Sequence, residues 1–313
     1  MSDEMRAIAM GVHVLDVQVR PVEEIPEGQG GQLVEEIRIS PAGSAGGTAV
    51  TLAKLGASVR SAGAVGTDPV GNLLLQLLER EGIDTSLLVR RGEVQTSASV
   101  LPIRPNGDRP AFHVIGANST YGPDDAPWDG IAAATHLHLG GPEFMGGEGA
   151  ARILSHAREH SVVTSADILA PGDPGLLEWL APALGHLDYL LPNDEQVVGL
   201  TGEGNLEDAC RALIERGIGC IAATCGDEGA VIVDDGEVQR VPAFEVEVVD
   251  TTGCGDSFSA GFLRGLSLGR SRSESAMLGC AAAALVARGL GSDHGEFDLA
   301  AADRLAETTS PAR

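Results

Sequence analysis

The residue types with the clearest chemical potential lie together near the C-terminal end of the chain, at 248–263. A β-branched run at 245–249 predicts a strand, and the apolar, small-residue segment after it predicts a helix. Between them, Gly253 and Gly255 let successive backbone N–H groups point into one concavity. Such amides at a helix N-terminus favour an anion, and Asp256 falls in the first turn of the predicted helix, beside that anion.

This junction also has a purely structural interpretation. Asp, Ser and Thr are favoured at helix starts in any protein, and a strand–glycine–helix junction is ordinary α/β architecture. The stretch has more than a lone G-x-G-D pattern, since it carries two threonines, an upstream Asp250 and a small pair, Ala260-Gly261, that allows close helix packing. These additions favour a functional site.

The sequence D-T-T-G-C-G-D-S-F-x-A-G-F, at 250–262, resembles the C-terminal signature of the ribokinase-like (PfkB) carbohydrate kinases. The resemblance implies that Asp256 is the general base that takes the proton from the substrate hydroxyl. It implies an anion hole for the transferring phosphoryl group, formed by the backbone amides of Gly253, Cys254, Gly255 and Asp256. It also implies a site for a monovalent cation such as K⁺ at Asp250 and Thr252.

Cys254 departs from the family pattern, in which Ala is the common residue at this position. The departure is mild, because the implied role belongs to the backbone N–H and not to the side chain. Amides at a helix N-terminus lower the pKa of a thiol. We therefore expect alkylating reagents to modify Cys254 and ATP to protect it.

Length and composition limit the fold and the location of the protein. With 313 residues, 43% of them hydrophobic, the chain can form one large α/β domain with a small appendage, or two ordinary domains. No apolar run is long enough to span a bilayer, and the acidic start at 1–4 is unlike a signal peptide. Five cysteines without a C-x-x-C pair favour reduced thiols, and hence a cytoplasmic protein.

The charge of the chain excludes several classes of function. A formal net charge of −24 repels nucleic-acid phosphates and anionic membranes, so neither is an expected partner. The only lysine is Lys54, and it stands outside any G-x-x-x-x-G-K-[ST] pattern, which argues against P-loop and protein-kinase designs. If the protein binds phosphate, backbone amides and arginines must do so.

Four predicted strands do not alternate with helices and indicate a small β-sheet set apart from the main body. They are 14–19, 32–40, 96–103 and 111–115. A hairpin turn, Pro105-Asn106-Gly107-Asp108, joins the last two. The resemblance implies a single kinase domain, 1–313, with this sheet as a lid formed by segments about 13–41 and 96–117. Such a lid closes over the acceptor and often pairs two subunits, so a homodimer through the lid is expected.

The rest of the chain alternates strands and helices. The predicted strands are 6–12, 59–65, 135–139, 162–166, 187–191, 218–224 and 230–234. The predicted helices are 46–55, 70–81, 147–160, 174–184, 206–216 and 273–288. Repeated βα units imply a mostly parallel sheet covered on both faces, and the resemblance implies a three-layer α/β/α core. Ligands bind such sheets at the carboxyl ends of the strands.

Two strand ends carry residues that match the family's nucleotide site. Asn193 alone would be an ordinary helix N-cap, but the family places N-x-x-E here to organise phosphates and Mg²⁺-bound waters. This chain has Gln196 as the fourth residue and the acid at Glu195, so only the role of Asn193 transfers. At the other strand end, T-x-G-x-x-G is a common turn pattern that resembles the family's ATP loop. The implied ATP-binding residues are Asn193, Thr224, Gly226 and Gly229.

The N-terminal half should supply the phosphoryl acceptor site. The segment 41–49 resembles the family's G-G-x-x-x-N-x-A signature, with Ala42 in place of a hinge glycine and Gly47 in place of a substrate-contacting Asn. Gly140-Gly141 also stands where some sugar kinases place an acidic hydroxyl ligand. The expected acceptor-binding residues are Asp16, Gly43, Ser44, Gly47, His138 and Arg109. These departures suggest an acceptor other than ribose, with nucleosides, substituted sugars and sugar acids all open.

The predicted function is transfer of the ATP γ-phosphoryl group, with Mg²⁺, to a hydroxymethyl-type alcohol of a sugar or nucleoside. The alternative is a kinase-fold sensor that binds nucleotide or sugar without turnover, which the altered residues at 47 and 196 leave open. A dinucleotide-dependent oxidoreductase is disfavoured, because no G-x-G-x-x-G follows the first strand.

Overall fold

The structure is a computed structural model that describes residues 5–105 and 109–308. Its strands are β1 (Arg6–Gly11), β2 (Val14–Arg20), β3 (Glu36–Ala42), β4 (Ser58–Gly66), β5 (Asp84–Arg91), β6 (Ala98–Pro102), β7 (Phe112–Val114), β8 (His136–Gly140), β9 (Val163–Asp167), β10 (Tyr189–Leu190), β11 (Cys220–Thr224), β12 (Ala230–Val233) and β13 (Val238–Val241). Its α-helices are α1 (Ser44–Lys54), α2 (Pro69–Arg80), α3 (Trp128–Ala133), α4 (Gly147–Glu159), α5 (Pro174–Leu184), α6 (Asp194–Thr201), α7 (Leu206–Glu215), α8 (Cys254–Ser267), α9 (Arg272–Val286) and α10 (Leu299–Thr308).

Nine strands form one sheet in the order β13-β12-β11-β10-β9-β8-β1-β4-β5. Neighbouring strands are parallel except at β11–β12 and β12–β13. Side chains alternate between the two faces, so Ala7 and Ala9 of β1 pack in the core shared with α1, α2, α8, α9 and α10. Ile8 and Met10 point the other way, into the core shared with helices α3 to α7. The predicted three-layer α/β/α core with a mostly parallel sheet is confirmed.

Helices α8 and α9 approach closely because small residues face each other. A Cβ added to Gly261 would lie 2.6 Å from Gly279 Cα, and one added to Gly279 would lie 2.7 Å from the carbonyl oxygen of Phe258. Neither glycine can therefore carry a side chain without moving a helix. The small pair at 260–261 serves the close packing expected of it.

Several elements went unpredicted. Strand β5 lies at the sheet edge, where Asp84, Ser86 and Arg90 are exposed and polar, so its sequence lacks the continuous apolar run of the buried strands. The short β13 at the opposite edge and the helices α3, α6 and α10 were likewise missed. Strand β3 begins at Glu36, later than the predicted residue 32.

The small sheet is also confirmed, with four strands in the order β3-β2-β6-β7. Its inner face carries buried polar residues, since Asp16 stands opposite Ser40 on one neighbouring strand and Ser99 on the other. Its outer face is apolar and exposed. The predicted turn at 105–108 falls largely on residues 106–108, outside the described part of the chain.

Among the described residues, no helix combines the length and the apolar character needed to cross a bilayer. The five cysteines are unpaired thiols.

Candidate active site

The turn before α8 has the geometry of an anion-binding site. Gly253, the N-cap of α8, has a φ of 79°, and a Cβ there would lie 2.3 Å from Ser292 Cβ, so both conformation and close approach require glycine. The amide of Cys254 donates to Thr251 O across 3.3 Å. Within the described chain, the next two amides, of Gly255 and Asp256, have no backbone acceptor. These open N–H groups at the positive end of a helix favour an anion.

Asp250 holds this turn in place. Its Oδ1 accepts hydrogen bonds from the backbone N–H (3.0 Å) and the hydroxyl (2.7 Å) of Thr252, and its Oδ2 accepts one from Gly291 N–H (3.2 Å). The strand predicted at 245–249 is wrong, because the backbone at its end and at Asp250 donates to Ala287 O, just beyond α9, and not to a neighbouring strand. A side chain and a helix end therefore fix the turn.

The Asp256 carboxylate lies against α1. A Cβ on Gly47 would be only 2.2 Å from Asp256 Oδ2, so the glycine leaves the space that the carboxylate occupies. Burial, and after it the neighbouring Asp16 carboxylate, raises the pKa of Asp256 to about 7, whereas Arg109 opposes the rise. A carboxyl group with a pKa near neutrality is well matched to proton transfer at physiological pH.

Asp16 and Arg109, from the small sheet and the segment before β7, lie close to Asp256 and the anion-binding turn. The side chain of Asp16 is buried on β2, and burial raises its pKa to about 6, against a hydrogen bond from Ser99 and the charge of Arg109. Arg109 Nη1 donates to Thr252 Oγ1 across 2.8 Å, which ties the segment between β6 and β7 to the anion-binding turn. Two residues expected at the acceptor site thus lie near Asp256 and Thr252 of the 250–262 stretch.

Asp167 and Glu143 belong to this acidic cluster but were not predicted. Asp167 ends β9, and burial, then the charges of Asp256 and Glu143, raise its pKa well above the usual value. Oε1 of Glu143 accepts hydrogen bonds from the N–H groups of Leu169 (2.7 Å) and Ala170 (2.9 Å), so it shapes the loop that follows. A position at the carboxyl end of a strand could have marked Asp167 as a site residue, but the predicted strand ended one residue earlier, at 166.

Gly43 and Ser44 form the start of α1 beside the ends of β1 and β8. Gly43 has a φ of 88°, and a Cβ there would lie 2.6 Å from Val12 O. A Cβ on Gly140 would lie 2.7 Å from Ser44 Oγ and 2.2 Å from Ala45 N, so an acidic side chain at position 140 has no room in this arrangement. The glycines at 43 and 140 therefore let α1 begin directly over the sheet.

His138 lies inside the molecule. It is 2% exposed, and its Nδ1 is 3.0 Å from Ser165 Oγ on the adjacent strand. Burial lowers its pKa to about 4, so its ring is neutral. The structure therefore places the His138 ring between two neighbouring strands, as a buried neutral side chain.

A cleft of about 530 Å³ opens on the other side of the anion-binding turn. Thr224, Gly226 and Gly229 line one wall, and Cys254 and Gly255 line the wall nearest the turn. Its remaining wall is mainly apolar and includes Phe244, Val246, Phe258, Ala283, Ala284 and Ala287. A cleft of this size, lined mainly by apolar side chains with a few polar groups, suits a small-molecule ligand.

Asn193 lies beside this cleft, since it forms a parallel β-bridge with Thr224. Its side-chain oxygen accepts the N–H of Gln196 (2.8 Å), and Gln196 Oε1 accepts the N–H of Asn193 (2.9 Å), which makes a reciprocal helix cap. Gln196 Nε2 also donates to Ile168 O (2.9 Å) and Ala170 O (3.2 Å). Gln196, which stands where the family has an acid, therefore caps its helix and holds the loop at 168–170.

The expectation of a reactive Cys254 is wrong. The thiol is half-buried and donates to Ala283 O across 3.6 Å. Burial raises its pKa to about 12, and Asp250 and Asp256 act in the same direction against Arg109. Desolvation of the thiolate thus outweighs the helix dipole, and the thiol stays protonated at neutral pH.

The described residues do not form a metal site of their own. No three His, Cys, Asp or Glu side chains among them gather as ligands. At the expected K⁺ site, both Asp250 oxygens and the Thr252 hydroxyl already bond to protein groups.

The chain is similar in sequence to several named kinases. The chain is 28% identical over 269 residues to a nucleoside kinase of Methanothermobacter thermautotrophicus, covering 84% of this chain and 83% of that protein. It is 31% identical over 261 residues to an ATP-dependent ribose-1-phosphate kinase of Halopiger xanaduensis, covering 83% and 84%.

Solved structures share the fold. Ribokinase from Thermotoga maritima matches with a TM-score of 0.81 at 23% identity, covering 97% of this chain and all of that one. Arabidopsis thaliana ribokinase, solved with ribose and ATP, matches with a TM-score of 0.83 at 20% identity, covering 97% and 99%. The family pattern described as pfkB family carbohydrate kinase matches residues 12–296. The chain therefore belongs to the pfkB family of carbohydrate kinases.

Proposed function

We propose that this kinase transfers the γ-phosphoryl group of ATP to a hydroxymethyl-type alcohol of a sugar or nucleoside, with Asp256 as the general base. The observation that carries the proposal is the position of Asp256. Its carboxylate faces Asp16 and Gly47 on the acceptor side, while Cys254 and Gly255 of the same helical turn line the nucleotide-sized cleft. An acceptor hydroxyl placed between the acceptor side and the cleft would have a base, Asp256, on one side and an anion hole on the other.

The donor side is suited to ATP with Mg²⁺ carried by the phosphates. Thr224, Gly226 and Gly229 would approach the phosphates from one side of the cleft, with Asn193 beside them. The open amides of Gly255 and Asp256 would stabilise charge on the transferring group. Since the described chain lacks a ligand cluster of its own, Mg²⁺ would enter with the nucleotide.

The acceptor side combines acids with one arginine. We assign Asp16, Gly43, Ser44 and Gly47 to the acceptor site, and Arg109 to the charge that develops near Thr252. The small sheet would act as a lid, because its inner face supplies Asp16 and the segment before β7 supplies Arg109. The glycines at 47 and 140 remove side chains that would contact ribose, and related enzymes are named for nucleoside and ribose-1-phosphate substrates.

The test is phosphoryl transfer from ATP across a panel of nucleosides, pentoses, hexoses and sugar acids. Turnover of one acceptor class supports the proposal. Tight binding of ATP and of an acceptor without product formation would instead identify a sensor. The Asp256 carboxylate against Gly47 and the open amides of Gly255 and Asp256 support turnover.

The Asp16→Asn variant is expected to shift the acid limb of the pH–rate profile to lower pH. The base must be deprotonated, so kcat/KM should fall as pH drops through the pKa of Asp256, about 7. Removing the Asp16 charge removes one cause of the raised pKa, although burial remains. The measurement is kcat/KM between pH 5 and 9; an unmoved limb would contradict the coupling.

We also propose that two copies pair through the outer face of the small sheet. Ile37 and Phe112 are 63% and 60% exposed, and Ile39 and Val100 are 44% exposed. Strand register aligns these side chains across the sheet through Val17, which pairs with both Ile39 and Val100. A continuous apolar face of this kind suits a self-complementary two-fold contact.

A single charge should disrupt that contact. We expect the native chain to have the mass of a dimer in sedimentation equilibrium and Phe112→Glu to have that of a monomer. Leu169→Glu is the control, since Leu169 is an exposed apolar residue (40%) outside the small sheet. A monomeric native protein would contradict this proposal and leave the kinase assignment untouched.

A further inference from the structure

The only lysine of the chain has three backbone carbonyls around its ammonium group. Lys54, the last residue of α1, places Nζ 2.6 Å from Asp293 O, 2.6 Å from Gly295 O and 3.4 Å from His294 O. The same ammonium lies 5.1 Å from the centroid of the Phe297 ring. Three converging carbonyls and an aromatic face form a site for a cation.

These carbonyls belong to the 291–295 loop, which contacts the anion-binding turn. Gly291 donates its N–H to Asp250 Oδ2 across 3.2 Å, and Asp250 in turn holds Thr252. Ser292 packs so closely on Gly253 that a Cβ added to the glycine would lie 2.3 Å from the Cβ of Ser292. The position of this loop therefore fixes the position of the turn.

The 291–295 loop also contacts the small sheet. Arg38 of β3 donates from Nη2 to Asp293 Oδ1 across 2.8 Å. A Cβ on Gly291 would lie 2.9 Å from Ser40 Oγ, so the backbone of the loop packs directly on the same strand. The loop thus joins α1, the small sheet and the start of α8 at one place.

Lys54 has the charge that this site needs. Carbonyl oxygens that converge without a donor repel one another, and an ammonium group supplies three N–H donors. Burial lowers the pKa of Lys54, and the carboxylates of Glu81 and Asp293 oppose that shift. Nearby, the Asp250 oxygens and the Thr252 hydroxyl hydrogen-bond to each other and to the Thr252 and Gly291 N–H groups.

We propose that the Lys54 ammonium is a built-in cation that holds the 291–295 loop, and through it the anion-binding turn, so that the enzyme works without a bound monovalent cation. Lys54 is a positioning residue in this proposal, since it acts on the turn through the loop. The kinetic part of the proposal rests on the proposed kinase function, whereas the cation site itself does not.

The first test is the response of the native enzyme to monovalent cations. At constant ionic strength, kcat with K⁺, Na⁺ or choline should agree within about twofold, because choline cannot enter a small carbonyl site. A strict requirement for K⁺ would overturn the proposal. If no acceptor is phosphorylated under any condition, the proposed function fails, and the cation site is decided by the unfolding measurement below.

The second test removes the ammonium. Lys54→Ala should lower kcat about 10- to 100-fold with a smaller change in KM for ATP, since the turn is displaced from its catalytic position. Ammonium or methylammonium should restore part of kcat, and choline should not. Lys54→Arg should keep more activity than Lys54→Ala. Wild-type kcat in Lys54→Ala would overturn the proposal.

Thermal unfolding supplies a readout independent of activity. The Tm of Lys54→Ala should fall and then rise selectively with ammonium, whereas the Tm of the native chain should not distinguish ammonium from choline. Arg38→Met is the matched control, because it removes a cation from the Asp293 side chain and leaves the carbonyls with Lys54. Equal responses of all three proteins to ammonium would overturn the cation role.

Discussion

Replacing Asp256 with Asn is expected to abolish nearly all turnover, with kcat lowered about 10²- to 10⁴-fold, the usual contribution of a general base. The amide keeps the size of the side chain but cannot take a proton from the acceptor hydroxyl. ATP affinity should change little, because the cleft is lined by other residues and the first-turn amides remain. Initial rates and ATP titration measure the two effects; turnover within a few-fold of wild type would eliminate Asp256 as the base.

The same variant should be more stable than the native chain at neutral pH. The folded pKa of about 7 lies above the ordinary value of 3.8, so the folded carboxyl group binds its proton more tightly than the unfolded one. The free energy of unfolding of the native chain therefore falls as pH rises from about 4 to 7. Above pH 7 the loss is constant. Each pKa unit corresponds to about 1.4 kcal/mol, which makes about 4 kcal/mol an upper bound for the gain in Asp256→Asn.

The pH dependence provides the control for this stability gain. Well below pH 3.8, the Asp256 carboxyl group is protonated in both the folded and the unfolded state, so the two proteins should unfold at similar denaturant concentrations. Above pH 7 the variant should exceed the native chain by its full margin. A constant difference at all pH values would show that the amide stabilises the fold for a reason unrelated to the raised pKa.

The Gly47→Ala variant is expected to lower kcat/KM about 10²-fold while the protein stays folded. Its new methyl group would lie 2.2 Å from Oδ2 and 2.8 Å from Cγ of Asp256, so the carboxylate must rotate away. Displacing a catalytic group by about 1 Å can cost about this much. The measurement is kcat/KM with the best acceptor, together with Tm.

Gly46→Ala is a matched control on the same helix. A Cβ at Gly46 would lie 3.5 Å from its nearest neighbour, Cδ2 of His13, which is ordinary contact. Both substitutions raise helix propensity equally, by about 1 kcal/mol, so a difference in activity reports the contact with Asp256. Equal activity in the two variants would mean that Asp256 rotates without consequence for catalysis.

Local sequence patterns predicted much of this fold. The parallel core followed from βα alternation, and the small sheet from strands without intervening helices. Edge strand β5 was not predicted, because its exposed polar residues interrupt the apolar run that marks the buried strands. The predicted strand at 245–249 failed because its β-branched residues have no neighbouring strand to pair with, and the end of α9 takes the adjacent backbone hydrogen bonds.

The chain by itself determined the stretch 250–262, its family and the chemistry expected of it, because a glycine turn, a helix start and an acid are neighbours in sequence. Tertiary structure decided which distant residues act on that stretch. Gly47 leaves space for Asp256, burial next to Asp16 sets the pKa of Asp256, and Lys54 holds the loop behind the turn. Desolvation and contact depend on which segments meet across the sheet, and no local pattern in the sequence carries that information.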